Sequence, residues 1–166
     1  EDTQEHPSKL KYIGDSAFLD NQLTSVTIPA SVTIIGGYAF AYNQLSSITF
    51  EDTNNHPSML KDIGDSAFGS NQLTNVTIPS SVTYIGAGAF YGNQLTSVTI
   101  PASVTTIDQS AFAENQLTSV TIPASVTTIN KDAFSYNNFD NSGNITLEYN
   151  SENSNTRFDD KWELIG

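Results

Sequence analysis

The chain contains no cysteine, only six lysines and arginines, two histidines, and one tryptophan in 166 residues. Without cysteine there is no disulfide framework and no thiolate chemistry. With six basic against 18 acidic side chains the formal net charge is −12. That balance excludes the cationic footprint that nucleic acid requires, and an anionic membrane surface would repel it. No apolar run is long enough to span a bilayer as a helix, so direct membrane insertion is not expected. No signal peptide is read in these residues, as expected of a mature or truncated chain. His6 and His56 are the only imidazoles. They fall two coils apart in the reading below, about 10 Å by strand spacing, too far to share a zinc ion easily. No HExxH, phosphate-binding loop or nucleophile elbow occurs. Asp140–Asn144 and Asp159-Asp160 are acidic or amide clusters, but they lack the acidic positions and closing glutamate of an EF-hand. No catalytic residue, metal site or cofactor is therefore assigned.

Abundant instead is repetition. Phe18, Phe40, Phe68, Phe90, Phe112 and Phe134 each follow an alanine, at spacings of 22, 28, 22, 22 and 22. Ile13, Ile35, Ile63, Ile85, Ile107 and Ile129 keep that spacing, as do Asn21, Asn43, Asn71, Asn93, Asn115 and Asn137. The one longer interval comes from six extra residues, 51–56. Residues 1–14 match residues 51–64, which marks duplication of a double unit. The strand that would precede Glu1 is missing, so the sequence reads as a monomeric fragment of a longer repeat protein or one without its N-terminal cap.

A fixed period of this length is the signature of a solenoid, in which each unit buries its apolar face only by stacking on neighbours. In Leu117–Ile122, Val120 and Ile122 alternate with Ser119 and Thr121, the period of a half-buried strand. Pro123 ends that strand, and Pro29, Pro79 and Pro101 do the same elsewhere. Val126 and Ile129 turn inward along a second extended piece. Gly36, Gly64 and Gly86, replaced by Asp108 and Asn130 in later units, predict a positive φ. The D-S-A-F segment predicts a short helical turn with an aspartate cap. The asparagine column predicts a ladder that donates to one coil's carbonyl and accepts from another's N–H. Residues 1–148 are read as the solenoid, about six coils with the insert at 51–56. Residues 149–166 are read as a cap anchored by Trp162, or as the start of a truncated segment. Phe139 continues the leucine column, and Ile145 and Leu147 supply the last strand.

The pattern L-x-x-V-x-I-P-x-S-V-T-x-I-G-x-x-A-F, running with little interruption over residues 7–137, resembles the BspA-like bacterial leucine-rich repeats. Asparagine stands here in a column where cysteine is frequent in that family. The resemblance implies an α/β repeat solenoid: a right-handed leucine-rich-repeat coil with a parallel β-sheet on the concave face and short helical turns or loops opposite. It also implies a non-enzymatic binding module of an extracellular or cell-surface protein, used for adhesion to a host or neighbouring-cell protein or glycan.

Two surfaces are candidates for that binding. Alternation turns two uncharged columns outward: Ser25, Ser47, Asn75, Ser97 and Ser119, and Thr27, Thr49, Thr77, Thr99 and Thr121. Small hydroxyls suit exposed strands in any case, but here they would form a hydrogen-bonding surface for a polar partner. Ordering of ice on such an array is the remoter reading, because a concave sheet does not match a flat crystal plane. The second candidate is aromatic: Tyr38, Tyr42, Tyr84, Tyr91 and Tyr136, a residue type favoured at interfaces. A purely structural spacer is the alternative to either.

Overall fold

The structure, a computed structural model, describes residues 8–139 and 144–147. Among the described residues ten short strands form: β1 (Tyr12–Ile13), β2 (Ser25–Ile28), β3 (Ile34–Ile35), β4 (Ser47–Phe50), β5 (Asp62–Ile63), β6 (Tyr84–Ile85), β7 (Thr106–Ile107), β8 (Ser119–Ile122), β9 (Thr128–Ile129) and β10 (Asn144–Leu147). Every pairing is parallel, as a coil that always returns in the same direction requires.

The continuous sheet lies on the second extended piece of each unit. Its order is β1-β3-β5-β6-β7-β9, six rungs of two residues each. The inner residue of each rung is an isoleucine, and Tyr12, Ile34, Asp62, Tyr84, Thr106 and Thr128 stand in register on its outer side. The leucine-to-proline segment, expected to carry the main ladder, carries an interrupted one. β2 pairs with β4, β8 pairs with β10, and a single bridge joins Thr77 to Thr99. The other coils keep the same alternation of burial there without closing a strand. Strands β2 and β8 stop at Pro29 and Pro123, as proline demands. In the last rung Ile145 registers with Val120 and Leu147 with Ile122.

No helix forms among the described residues, so the expected α/β class is corrected to a parallel-strand β-solenoid, and the D-S-A-F helical turn with it. Ser16, Tyr38, Ser66, Ser110 and Asp132 have φ of 52–58°, and Gly88 has 61°. A residue in that left-handed region cannot continue a right-handed helix. The amides of these turns instead donate across to the next coil: Phe40 N to Ala67 O and Phe68 N to Ala89 O, each at 2.8 Å. The expected aspartate caps are corrected too. Asp15 Oδ1 accepts from Gly37 N (2.8 Å) and Asp65 Oδ1 from Ala87 N (2.9 Å), so each ties its coil to the following one.

The glycine column also has a different cause from the one expected. Neither Gly36, Gly64 nor Gly86 has a positive φ. They are glycines because neighbouring coils touch there: a Cβ on Gly64 would lie 2.7 Å from Ile35 O, and one on Gly86 2.8 Å from Asp65 N. The left-handed residue falls two positions later.

The core is a stack of like on like. Phe40, Phe68, Phe90 and Phe112 are fully buried, with Ile35, Ile63, Ile85 and Ile107 beside them. The six phenylalanines form one pile, with ring centroids 5.1–5.6 Å apart and interplanar angles of at most 13°. Phe139 packs against this core at the end of the leucine column. The insert loops out and closes on itself through Thr53 and His56. Met59 N then bonds Ala30 O (2.9 Å), which restores the register. His6, Asp140, the Asp159-Asp160 pair, the Trp162 cap and the 149–166 boundary lie outside the described residues.

Candidate functional site

The ten positions assigned to the hydroxyl face are all exposed. Ser25 registers with Ser47, Thr27 with Thr49, and Thr77 with Thr99. Beneath them, Val76, Val98 and Val120, with Ile78, Ile100 and Ile122, are buried. The outward residues therefore stand on a close-packed layer that holds their backbone in place. Two further columns belong to the same face. Thr24, Ser46, Thr74, Thr96 and Thr118 are exposed, and so are Gln22, Gln44, Gln72, Gln94 and Gln116. Strict alternation gives only every second residue to the surface, so it missed them. The signal was present as the N-Q-L-x-x of the first five units. The backbone N–H groups of Gln44, Gln72, Gln94 and Gln116 donate to the leucine carbonyl of the preceding coil, as in Gln94 N to Leu73 O (2.9 Å), leaving the side chains outward. Four uncharged columns thus run side by side in a chain of net charge −12.

The asparagines beside this face do what the sequence predicts. Asn93 Oδ1 accepts from Leu73 N (3.0 Å), and its Nδ2 donates to Phe68 O (3.0 Å), Phe90 O (3.2 Å) and Tyr91 O (3.4 Å). Asn43, Asn71 and Asn115 repeat the pattern, and all four are buried.

The five tyrosines separate into two groups. Tyr84 sits on the continuous sheet, where its hydroxyl donates to Asp108 Oδ2 (2.8 Å). Burial and that bond push the Tyr84 pKa up to about 12. Asp108 also accepts from Asn130 and Gln109 N, and these bonds outweigh burial and hold its carboxyl below the usual value. A phenol raised on folding stabilises the fold below its unfolded pKa of 10.0 and loses that contribution as pH rises toward 12. An alkaline spectrophotometric titration is expected to show a late phenol that is absent in Tyr84→Phe, with the wild-type chain losing stability across the same interval.

Tyr38, Tyr42 and Tyr136 lie on the turns, exposed and left-handed, with φ of 54–56°. Tyr91 stands one position before the corresponding residue, Gly92, and is half-buried. An L-residue in this conformation costs roughly 1–2 kcal/mol. Gly88 and Gly92 fill the same two columns in the fourth unit, so the fold itself does not call for tyrosine there. Among the described residues no group of three His, Cys, Asp or Glu side chains could hold a metal ion, and no helix is long and apolar enough to cross a membrane.

A stacked coil with an exposed, uncharged face over a buried ladder defines a leucine-rich-repeat-like parallel β-solenoid. The model of the BspA type leucine rich repeat region matches six copies over residues 11–141, and the chain belongs to that family. The pneumococcal vaccine antigen PcpA is similar in structure, with TM-score 0.68 and 26% identity over 86% of this chain and 36% of that one. A leucine rich cell surface protein from Faecalibacterium prausnitzii aligns with TM-score 0.52 and 33% identity, over 78% of this chain and 43% of that one. A leucine-rich repeat protein from Bacteroides ovatus gives TM-score 0.51 and 26% identity, over 75% and 38%. The chain therefore spans well under half the length of each. No curated protein matches the sequence.

Proposed function

We propose that this chain is a protein-binding module of a bacterial surface protein, non-catalytic, and that the hydroxyl and amide columns form its contact face. The observation that carries this reading is the uncharged exposure of those columns in so acidic a chain. A partner docking there desolvates no carboxylate, the costly step in burying a polar surface. Hydroxyls and amides can donate or accept, which suits a polar protein or glycan surface. The surface or extracellular location is carried by the neighbours, one described as a cell surface protein and another as a vaccine antigen. Adhesion to a host or neighbouring cell is the use this placement favours.

The test begins with a glycan array and a panel of purified extracellular host proteins, probed with the 166-residue chain. Whatever binds is titrated against the variant Ser97→Ala, Thr99→Ala, Ser119→Ala, Thr121→Ala. A loss of at least about tenfold in affinity is expected, since four hydrogen bonds at about 0.5–1.5 kcal/mol each are at stake. Binding to nothing in either panel would favour the spacer reading.

A further inference from the structure

The hydroxyl face is nearly uniform from coil to coil, and the outer side of the continuous sheet is not. At β7 its columns hold Ser103, Thr105 and Thr106, and β9 repeats them. In the first three coils the same columns hold Lys9, Lys11 and Tyr12 at β1, Ile34 at β3, and Met59 and Lys61 at β5. Backbone bonds fix the register: Thr33 N donates to Lys11 O and Lys61 N to Thr33 O, each at 2.8 Å. The fold accepts serine and threonine in all three columns, so packing does not call for these larger side chains. Tyr12 is 49%, Ile34 39% and Met59 47% exposed. Met59 and Lys61 flank the buried Leu60 and therefore stand on the same side of the chain. The Lys11 ammonium reaches across the β3 rung to Met59 Sδ (3.7 Å). Among the described residues Lys131 pairs with Asp132, and Lys9, Lys11 and Lys61 pair with no carboxylate.

We propose that Lys9, Lys11 and Lys61, with Tyr12, Ile34 and Met59, form a docking patch for an acidic peptide segment of a partner protein, one that carries apolar side chains among its carboxylates. The sign of the ligand follows from charge. Residues 9–12, 31–34 and 59–62 hold three lysines against one aspartate, Asp62, a local charge of +2 in a chain of −12. Half of the chain's six strong bases thus stand on one corner of the coil. Asp15, the next acid along the first coil, is already held by Gly37 N (2.8 Å) and by the Tyr12 hydroxyl, which donates to it at 3.2 Å. Complementary charge of this kind steers encounter and fixes which partner docks. The class of ligand follows from the apolar side chains between the lysines. Ile34 and Met59 gain from burial only against other apolar groups, which an acidic polysaccharide does not supply. Three lysines are also far short of the basic stripe that nucleic acid needs. The patch lies on the continuous sheet and is separate from the hydroxyl face.

The test is fluorescence polarisation with a labelled nine-residue peptide carrying glutamate at two of every three positions and leucine at the third. The full chain is compared with the variant Lys9→Ser, Lys11→Thr, Lys61→Thr. Ser31 and Thr33 already occupy these columns, so the variant is expected to melt like the wild type. Saturable binding to the wild-type chain, weakened at least about fivefold in this variant and weakened also by added salt, is the expected result. Lys131→Gln removes a positive charge elsewhere, in a column that already holds Gln109, and is expected to bind the peptide normally. A peptide with serine in place of leucine, and a sulphated oligosaccharide, are each expected to bind at least about fivefold more weakly than the leucine peptide. The hydroxyl-face variant is expected to bind the peptide normally, which separates this site from the first. Failure of the wild-type chain to bind overturns the proposal. So does equal binding by the three-lysine variant, or an equal loss in Lys131→Gln, since either leaves the patch without a role. Equal binding of the serine peptide or of the oligosaccharide overturns it as well, because the apolar side chains would then select nothing.

Discussion

Replacing Phe90 by alanine is expected to destabilise the chain by about 3–5 kcal/mol. Phe90 is fully buried and lies between two other rings, 5.6 Å from Phe68 and 5.3 Å from Phe112. Truncation leaves a ring-sized void in the middle of the pile, and the backbone cannot close it because each turn is bonded to its neighbours on both sides. Phe90 N bonds Ala111 O, and Phe68 N bonds Ala89 O. In a solenoid, stability is a sum of units and nearest-neighbour interfaces. The loss falls on two interfaces at once and is expected to split denaturation into two transitions. Phe18→Ala is the control: that ring is 44% exposed, and its removal is expected to cost less than half as much. Urea denaturation followed by circular dichroism reads both.

Asn93→Ala carries the second large effect, about 2–4 kcal/mol. The amide is buried and answers four backbone groups: Leu73 N–H and the carbonyls of Phe68, Phe90 and Tyr91. Alanine fills less space and leaves the Leu73 N–H without its acceptor, away from water. Asn93→Asp keeps an acceptor for Leu73 but removes the donor and buries a charge facing three carbonyl oxygens, so it is expected to be no milder. Asn21, exposed and donating to Leu19 O at 3.0 Å, is expected to tolerate alanine with a change under about 0.5 kcal/mol. The same denaturation series distinguishes the buried column from its exposed end.

These residues also show what was legible in the sequence. Packing repeats every unit, so the positions it fixes repeat as well; the phenylalanine pile and the asparagine ladder could be read from spacing alone. The turns could not. D-S-A-F has the composition of a capped helical turn, and only the demand that each amide reach the next coil forces Ser16, Ser66 and Ser110 into the left-handed region. The glycine column misled for a related reason. Its cause is contact with the coil beside it, as at Gly64 against Ile35 O, and a single unit carries no trace of that contact. The position of the continuous sheet was hidden too. V-T-x-I is only two strand residues long, yet it closes six rungs, while the more strand-like L-T-S-V-T-I closes few. On the candidate face, alternation located Thr99 and Thr121 but missed Thr96 and Gln94. The bend that exposes them lies before the alternating stretch begins.

The central claim is that this repeat divides its residues between two tasks, with an inner set that holds the coil and an outer uncharged set that meets the partner. It is tested most directly by measuring melting temperature and partner affinity together on the four-alanine variant of Ser97, Thr99, Ser119 and Thr121. All four are exposed, so the melting temperature is predicted to stay within about 4 °C of wild type while affinity for the bound partner falls at least about tenfold. Unchanged affinity at unchanged melting temperature would contradict the claim.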